Sequence, residues 1–91
     1  MRYLIAYDIA DDRRRARLAS RLLDFGPRLQ ESLFLAHIDS SRAQHLHSAI
    51  SAEIDLAADT VHIFPLCDAC WPKAMAHPSH ALPQDSPFFI I

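Results

Sequence analysis

The sequence predicts an α+β sandwich of order β-α-β-β-α-β, with both helices on one face of the sheet, and three observations predict it. Strand-like apolar runs stand at residues 2–9 (RYLIAYDI) and 60–66 (TVHIFPL). Two stretches between them, over residues 12–25 and from Ser40 to Ile54, space their apolar residues three and four apart, as a helix burying one face does. The 27–39 stretch that joins the two helices carries strand-type residues instead. At 91 residues the chain is a single domain with one core, the core spanning about residues 1–70 and a proline-rich arm and strand spanning 71–91.

Residues 2–9 are rich in Tyr, Ile and Leu, and Arg2 is the only charge before Asp8. Such a run reads as a central strand covered on both faces. Asp11 or Asp12 caps the following helix, where negative charge meets the positive end of the helix dipole. Leu18, Leu22 and Phe25 form the apolar stripe of this helix, widened by Ala19 and Leu23. Arg13, Arg17 and Arg21 line the opposite side, and Arg15 falls in the apolar sector near the end of strand one. Gly26, the chain's one glycine, reads as the C-cap, and Pro27 prevents continuation.

The segment PRLQESLFLAHID reads as two short strands with a break near Glu31. Ser40 or Ser41 caps a second helix, whose Ala43, Leu46, Ile50 and Ile54 recur at helical spacing. Strand four ends near Pro65. The remainder is irregular, with prolines at 72, 78, 83 and 87, and closes on FFII. A free apolar end of this kind is an aggregation hazard, so it is expected to dock on a sheet edge as an extra strand. The whole is a ferredoxin-like sandwich.

Overall charge does not announce a partner: the formal net charge is −2. Its distribution does, because Arg13, Arg14, Arg15, Arg17, Arg21 and Arg28 account for six of nine basic residues. Arginine is the side chain best suited to bidentate phosphate contact, although a charge run on a helix is more commonly a solvated face. Asp8, at the mouth of a central strand, is either a cap for the turn or a metal ligand. A lone Asp is a weak site, and becomes a credible one when a symmetric dimer sets two copies face to face around a hydrated Mg²⁺. Hydrophobic residues make up 51% of the chain, which points to an apolar subunit interface.

Cys67 and Cys70 form a C-x-x-C with His77 and His80 downstream. This is half of a strong zinc pattern, and buried or structural thiols are the favoured reading. His45, His47 and His62 have no ligand-like spacing. The N-terminus lacks a signal pattern, no apolar run reaches the roughly 20 residues of a membrane span, and two cysteines suit a reducing compartment, so a cytoplasmic setting is expected.

Three stretches, YLIAYDIADDRRR at 3–15, QESLF at 30–34 and VHIFPLCDAC at 61–70, together resemble the small CRISPR-associated "Cas-two" family. The resemblance covers roughly residues 1–70. It implies a ferredoxin-like homodimer whose C-terminal strand packs on the partner's sheet, and a role in spacer acquisition as a dimer bridging the integrase. It implies Mg²⁺-dependent endonuclease activity on single-stranded RNA or double-stranded DNA, with Asp8 as catalytic metal ligand. The arginines at 13, 14, 15, 17 and 21 carry over as a nucleic-acid-binding group, and Ser32 and Phe34 as residues near the site. Leu35 stands where the family often has an acidic residue, which implies slow or vestigial cleavage. Two other functions fit the same fold: an mRNA-cleaving toxin of the virulence-associated type, and a small-molecule-binding regulatory dimer.

Overall fold

A computed structural model describes residues 1–74. Its elements are β1 (Arg2–Asp8), α1 (Asp12–Leu22), β2 (Arg28–Gln30), β3 (Leu33–His37), α2 (Ser40–Glu53), β4 (Thr60–Leu66) and a short 3₁₀ turn at Trp71–Lys73. The strands form one antiparallel sheet in the order β2-β3-β1-β4. Residues 27–39 do break into two strands around Glu31 and Ser32, and the helix and strand order is the expected ferredoxin-like one. The FFII end and His77 and His80 lie outside the described residues. Among the described residues no helix is long and apolar enough to cross a membrane.

Alternation along β1 divides the sheet into two faces. Ile5 and Tyr7, with Phe34 and Ala36 of β3, pack under Leu18 and Leu22 of α1 and Leu46 and Ile50 of α2. Both helices therefore lie on this face. Ile5, Leu18 and Leu22 are fully buried, and each burial of this kind contributes roughly 1.5–3 kcal/mol. The opposite face carries a smaller cluster, in which Trp71 and Leu35 are buried against Leu4, Leu29 and Leu66. Arg2 lays its guanidinium over the Trp71 ring, 4.8 Å from its centre. So β1 is covered on both faces, but unequally.

Several local expectations shift. Asp11 is the cap of α1, its carboxylate accepting from Arg14 N–H at 2.8 Å. The cap of α2 is Asp39 and not Ser40 or Ser41; its carboxylate accepts from Arg42 N–H and Ser41 Oγ–H, each at 2.9 Å. These bonds, the Arg42 amide foremost, hold the Asp39 carboxyl below the usual range. Ser40 and Ser41 become the first turn of the helix instead. β4 runs through Pro65 to Leu66, which an edge strand tolerates because no inward partner needs the missing N–H.

The helix α1 stops at Leu22, earlier than its periodicity suggests, because Asp24 and Phe25 donate to carbonyls three residues back and tighten the chain. Phe25 still packs on the core from this turn. Gly26 is thus not the C-cap. A Cβ on Gly26 would fall 1.8 Å from the Leu35 carbonyl oxygen and 3.0 Å from the Ala36 Cα, so the position is glycine because two backbones touch there. The next residue's carbonyl then accepts from Leu35 N–H at 3.0 Å.

The α2–β4 loop is held by Asp59. Its side chain is fully buried and accepts from Arg14 Nε at 2.6 Å and Nη2 at 3.0 Å, Ala10 N–H at 3.1 Å and Asp55 N–H at 2.9 Å. The Arg14 bond, reinforced by both amides, holds the Asp59 carboxyl far below the usual carboxylate range and raises the Arg14 guanidinium.

Two outcomes follow for stability. Gly26→Ala forces β3 away from the turn and costs about 2 kcal/mol, lowering the melting temperature by roughly 10 °C in a thermal scan. Because the folded carboxyl of Asp59 titrates below its unfolded value, its contribution is complete above about pH 5 and is lost as pH falls through and below about 4. Asp59→Asn, compared with wild type by denaturant titration from about pH 7 to pH 2.5, should therefore be strongly destabilised at neutral pH and lose less on acidification.

Candidate active site and nucleic-acid interface

The β1–α1 junction brings together Asp8, Arg13, Arg14 and Arg15 of the residues that the sequence singles out. Asp8 ends β1 opposite Thr60, the first residue of β4. It is exposed, and by alternation with buried Tyr7 its carboxylate lies on the sheet face away from the helices. It does not cap the turn, which Asp11 does. Its side chain makes no hydrogen bond or ion pair among the described residues, so both oxygens are open to a ligand.

Backbone contacts fix the surroundings of Asp8. Tyr7 N–H donates to the Ser32 carbonyl at 3.1 Å, and the Tyr7 hydroxyl donates to the Glu31 carbonyl at 2.8 Å. Burial pushes the Tyr7 hydroxyl pKa up, with the nearby Arg28 guanidinium opposing it. Ser32 is therefore at the tip of the β2–β3 turn beside this end of β1, and it is exposed. Phe34 is elsewhere: it is buried on the helix-side face, stacked with Tyr7 at 6.2 Å and covered by Arg28 at 5.6 Å. Its contribution is to hold Tyr7, and through Tyr7 the β2–β3 turn.

The arginines sort into three groups. Arg14 is the partner of buried Asp59 and anchors the first turn of α1. Arg15 donates to the Ile9 carbonyl at 2.9 Å and pairs with Asp12, which braces the same turn from the other side. Arg17 and Arg21 both reach Glu53 at the end of α2, at 3.2 and 3.3 Å. Arg13 is exposed and makes no hydrogen bond or ion pair among the described residues.

The stripe of Arg13, Arg17 and Arg21 is thus a real face of α1, but two of its members share one carboxylate that helix spacing could not reveal. Both arginine side chains remain about half exposed, 60% and 47%, whereas Glu53 is 15% exposed. Pairs whose arginines are this exposed contribute modestly, about 0–1 kcal/mol. On the other side of α1 a groove of about 350 Å³ is lined in part by Arg15, Ser20 and Arg28. Arg28 itself donates to the carbonyls of Gln30, at 3.3 Å, and Glu31, at 2.6 Å.

The described histidines do not collect. His45 and His47 are exposed on α2, and His62 lies on β4, stacked against Phe64 with ring centres 6.1 Å apart. Among the described residues no three His, Cys, Asp or Glu side chains cluster as metal ligands. Cys67 and Cys70 are exposed free thiols and not buried hydrophobes, which corrects the packing role expected for Cys67. The reason is that Cys67 lies one residue past β4, where the chain has left the sheet.

Known proteins are similar to this chain in sequence and fold. The family model for CRISPR associated protein Cas2 matches residues 1–74. A protein of Thermus thermophilus named CRISPR-associated endonuclease Cas2 2 is 38% identical over 64 residues, covering 70% of this chain and 71% of the relative. A Rhodospirillum rubrum protein named CRISPR-associated endoribonuclease Cas2 4 is 35% identical over 69 residues, 76% of this chain and 56% of that one. A crystal structure of a hypothetical protein, also from Thermus thermophilus, superposes with a TM-score of 0.70 at 36% identity, covering 72% of this chain and 80% of that one. Streptococcus pyogenes Cas2 shares the fold, with a TM-score of 0.76 at 20% identity over 84% of this chain and 98% of that one. With its ferredoxin-like sheet and the match over the whole described region, the chain belongs to the CRISPR-associated Cas2 family.

Proposed function

We propose that this protein is a nucleic-acid-binding subunit of CRISPR spacer acquisition, acting in the cytoplasm as a homodimer that bridges the integrase, with a Mg²⁺-dependent phosphodiesterase centre at Asp8. The observation that carries the reading is Asp8: an exposed carboxylate without a partner among the described residues, held at the end of a central strand beside an arginine-rich helix start. The names of the relatives, endonuclease and endoribonuclease, support a nuclease activity on DNA or RNA.

One chain supplies one carboxylate here. That donor set fits Mg²⁺ when two copies meet, because the ion accepts one or two carboxylates and completes its octahedron with water. Dimerisation has its own support on the same sheet face. Ala6 and Phe64 lie there with neither α1 nor α2 above them and, among the described residues, only Trp71 packing on their neighbours Leu4 and Leu66; Phe64 is 51% exposed. Two such faces stacked about a twofold bury this surface and bring both Asp8 carboxylates into one interface. A bound Mg²⁺ supplies an acidified water and offsets charge on the phosphodiester.

The chain's own side chains do the rest. Arg13 is free to take a backbone phosphate, and Arg17 and Arg21 exchange Glu53 for phosphate oxygens on binding. Arg14 and Arg15 keep the first turn of α1 in register with Asp8. Ser32 offers a hydroxyl at the neighbouring turn. The integrase-bridging role needs only the phosphate contacts and a rigid dimer.

Two measurements test these roles. Asp8→Asn removes the charge that Mg²⁺ requires while keeping size, so cleavage of single-stranded RNA or duplex DNA should fall by roughly 100-fold or more, with dimer mass and melting temperature unchanged. Equal, chelator-sensitive cleavage by wild type and variant would place the metal elsewhere. Arg13→Ala combined with Arg17→Ala and Arg21→Ala should weaken duplex binding and flatten its dependence on log salt by about 0.9 for each phosphate that the variant no longer neutralises. Arg14→Ala, by contrast, should unfold the domain at lower temperature. Undiminished binding and an unchanged slope in the triple variant would make the stripe a solvated face.

A further inference from the structure

The Cys67–Cys70 turn has no part in the nucleic-acid reading, and its geometry points to a chemistry of its own. The two Sγ atoms stand 3.2 Å apart, in hydrogen-bonding contact, and both thiols are exposed. The turn that brings them together is closed by backbone bonds: the amides of Cys70 and Trp71 both donate to the Cys67 carbonyl at 3.0 Å. It is anchored at each end. β4 enters it, and Trp71, 2% exposed against Leu35, leaves it. A disulfide needs its sulfurs at about 2.05 Å, so closure asks for a contraction of roughly 1.2 Å, within reach of side-chain rotation.

We infer that Cys67 and Cys70 are a redox-active dithiol, converted to an intrachain disulfide by small-molecule disulfides of the glutathione class. The contact between the thiols differentiates them: the Sγ–Sγ hydrogen bond, with help from backbone amides, favours the Cys67 thiolate and lowers its pKa, while the same contact raises that of Cys70. Cys67 is therefore the attacking sulfur. Its thiolate attacks one sulfur of the disulfide RSSR, the S–S bond breaks, and RS⁻ leaves and is protonated to RSH. Cys70 then gives its proton to solvent and attacks the Cys67 sulfur of the mixed disulfide. The Cys67–Cys70 bond forms and a second RS⁻ leaves as thiol. The protein loses two electrons and two protons, and RSSR becomes two RSH.

The bond would stiffen the turn directly before Trp71, the residue that pins the chain's exit from β4 against the sheet face opposite the helices. Trp71 is the chain's one tryptophan, so its fluorescence reports on the neighbouring sulfurs.

The test uses the full chain, reduced and stripped of metal with chelator, and equilibrated over a series of reduced-to-oxidised glutathione ratios. The expected result is a single two-electron transition in which free thiols fall from two to none per chain and the mass drops by two hydrogens. Trp71 emission should change along the same curve. Cys70→Ser should trap a one-to-one glutathione adduct on Cys67, and Cys67→Ser should form its adduct several-fold more slowly. Oxidation only to disulfide-linked dimers, or adducts on both cysteines without the intrachain bond, would overturn the inference. So would tight uptake of zinc by the reduced protein that prevents oxidation, which would make the pair a metal site.

Discussion

Asp59 is the one buried charged side chain among the described residues, and the arrangement of the functional end of the sheet depends on how its charge is met. A carboxylate has about four acceptor positions, and four donors reach it: two from Arg14 and one each from the amides of Ala10 and Asp55. A buried charge is tolerated only when its desolvation is offset this completely. Those donors come from the β1–α1 turn, the first turn of α1 and the loop that leads into β4. One side chain therefore fixes three segments that meet at the end of β1. Asp8 owes its position to that knot, because Thr60, its partner across the ladder, directly follows Asp59.

The same constraint explains the division of labour among the arginines. Two of the five on α1 are committed to structure, Arg14 to Asp59 and Arg15 to the Ile9 carbonyl, and neither can leave without loosening the turn. Arg17 and Arg21 are held by a half-exposed pairing with Glu53 that docks α1 against α2. Arg13 has no such tie. In the proposed function, affinity for a polyanion would rest on Arg13, Arg17 and Arg21, while Arg14 and Arg15 would set the geometry into which the anion must fit.

The sheet is asymmetric along its length as well as through its thickness. On the face opposite α1 and α2, one end is sealed by Trp71, with Arg2 over its ring, and the other end carries the Asp8 carboxylate. Between them run Leu4, Ala6 and Phe64, an apolar strip with an acid at its tip. In the proposed homodimer, a second copy laid on this strip would bury hydrocarbon and juxtapose carboxylates at once. The proposed metal then offsets a repulsion that the apolar contact itself creates.

The fold and the position of Asp8 were legible in the sequence because both rest on local pattern. Strand alternation, a 3.6-residue apolar period in α1 and α2, and a Tyr-Asp at the end of a buried run are written in neighbouring residues, and the order of those elements leaves few topologies. The cap of α2, the early end of α1 and the role of Gly26 were not legible. Each depends on what a backbone meets after folding, as where Gly26 touches the Leu35 carbonyl. The partners of the arginines lay further beyond reach, since Asp59 is 45 residues from Arg14 and Glu53 is 36 from Arg17. No periodicity links such positions. Periodicity told which face of α1 each arginine occupies, and only the tertiary structure, by bringing a distant carboxylate to that face, decided which arginines are anchors and which remain available.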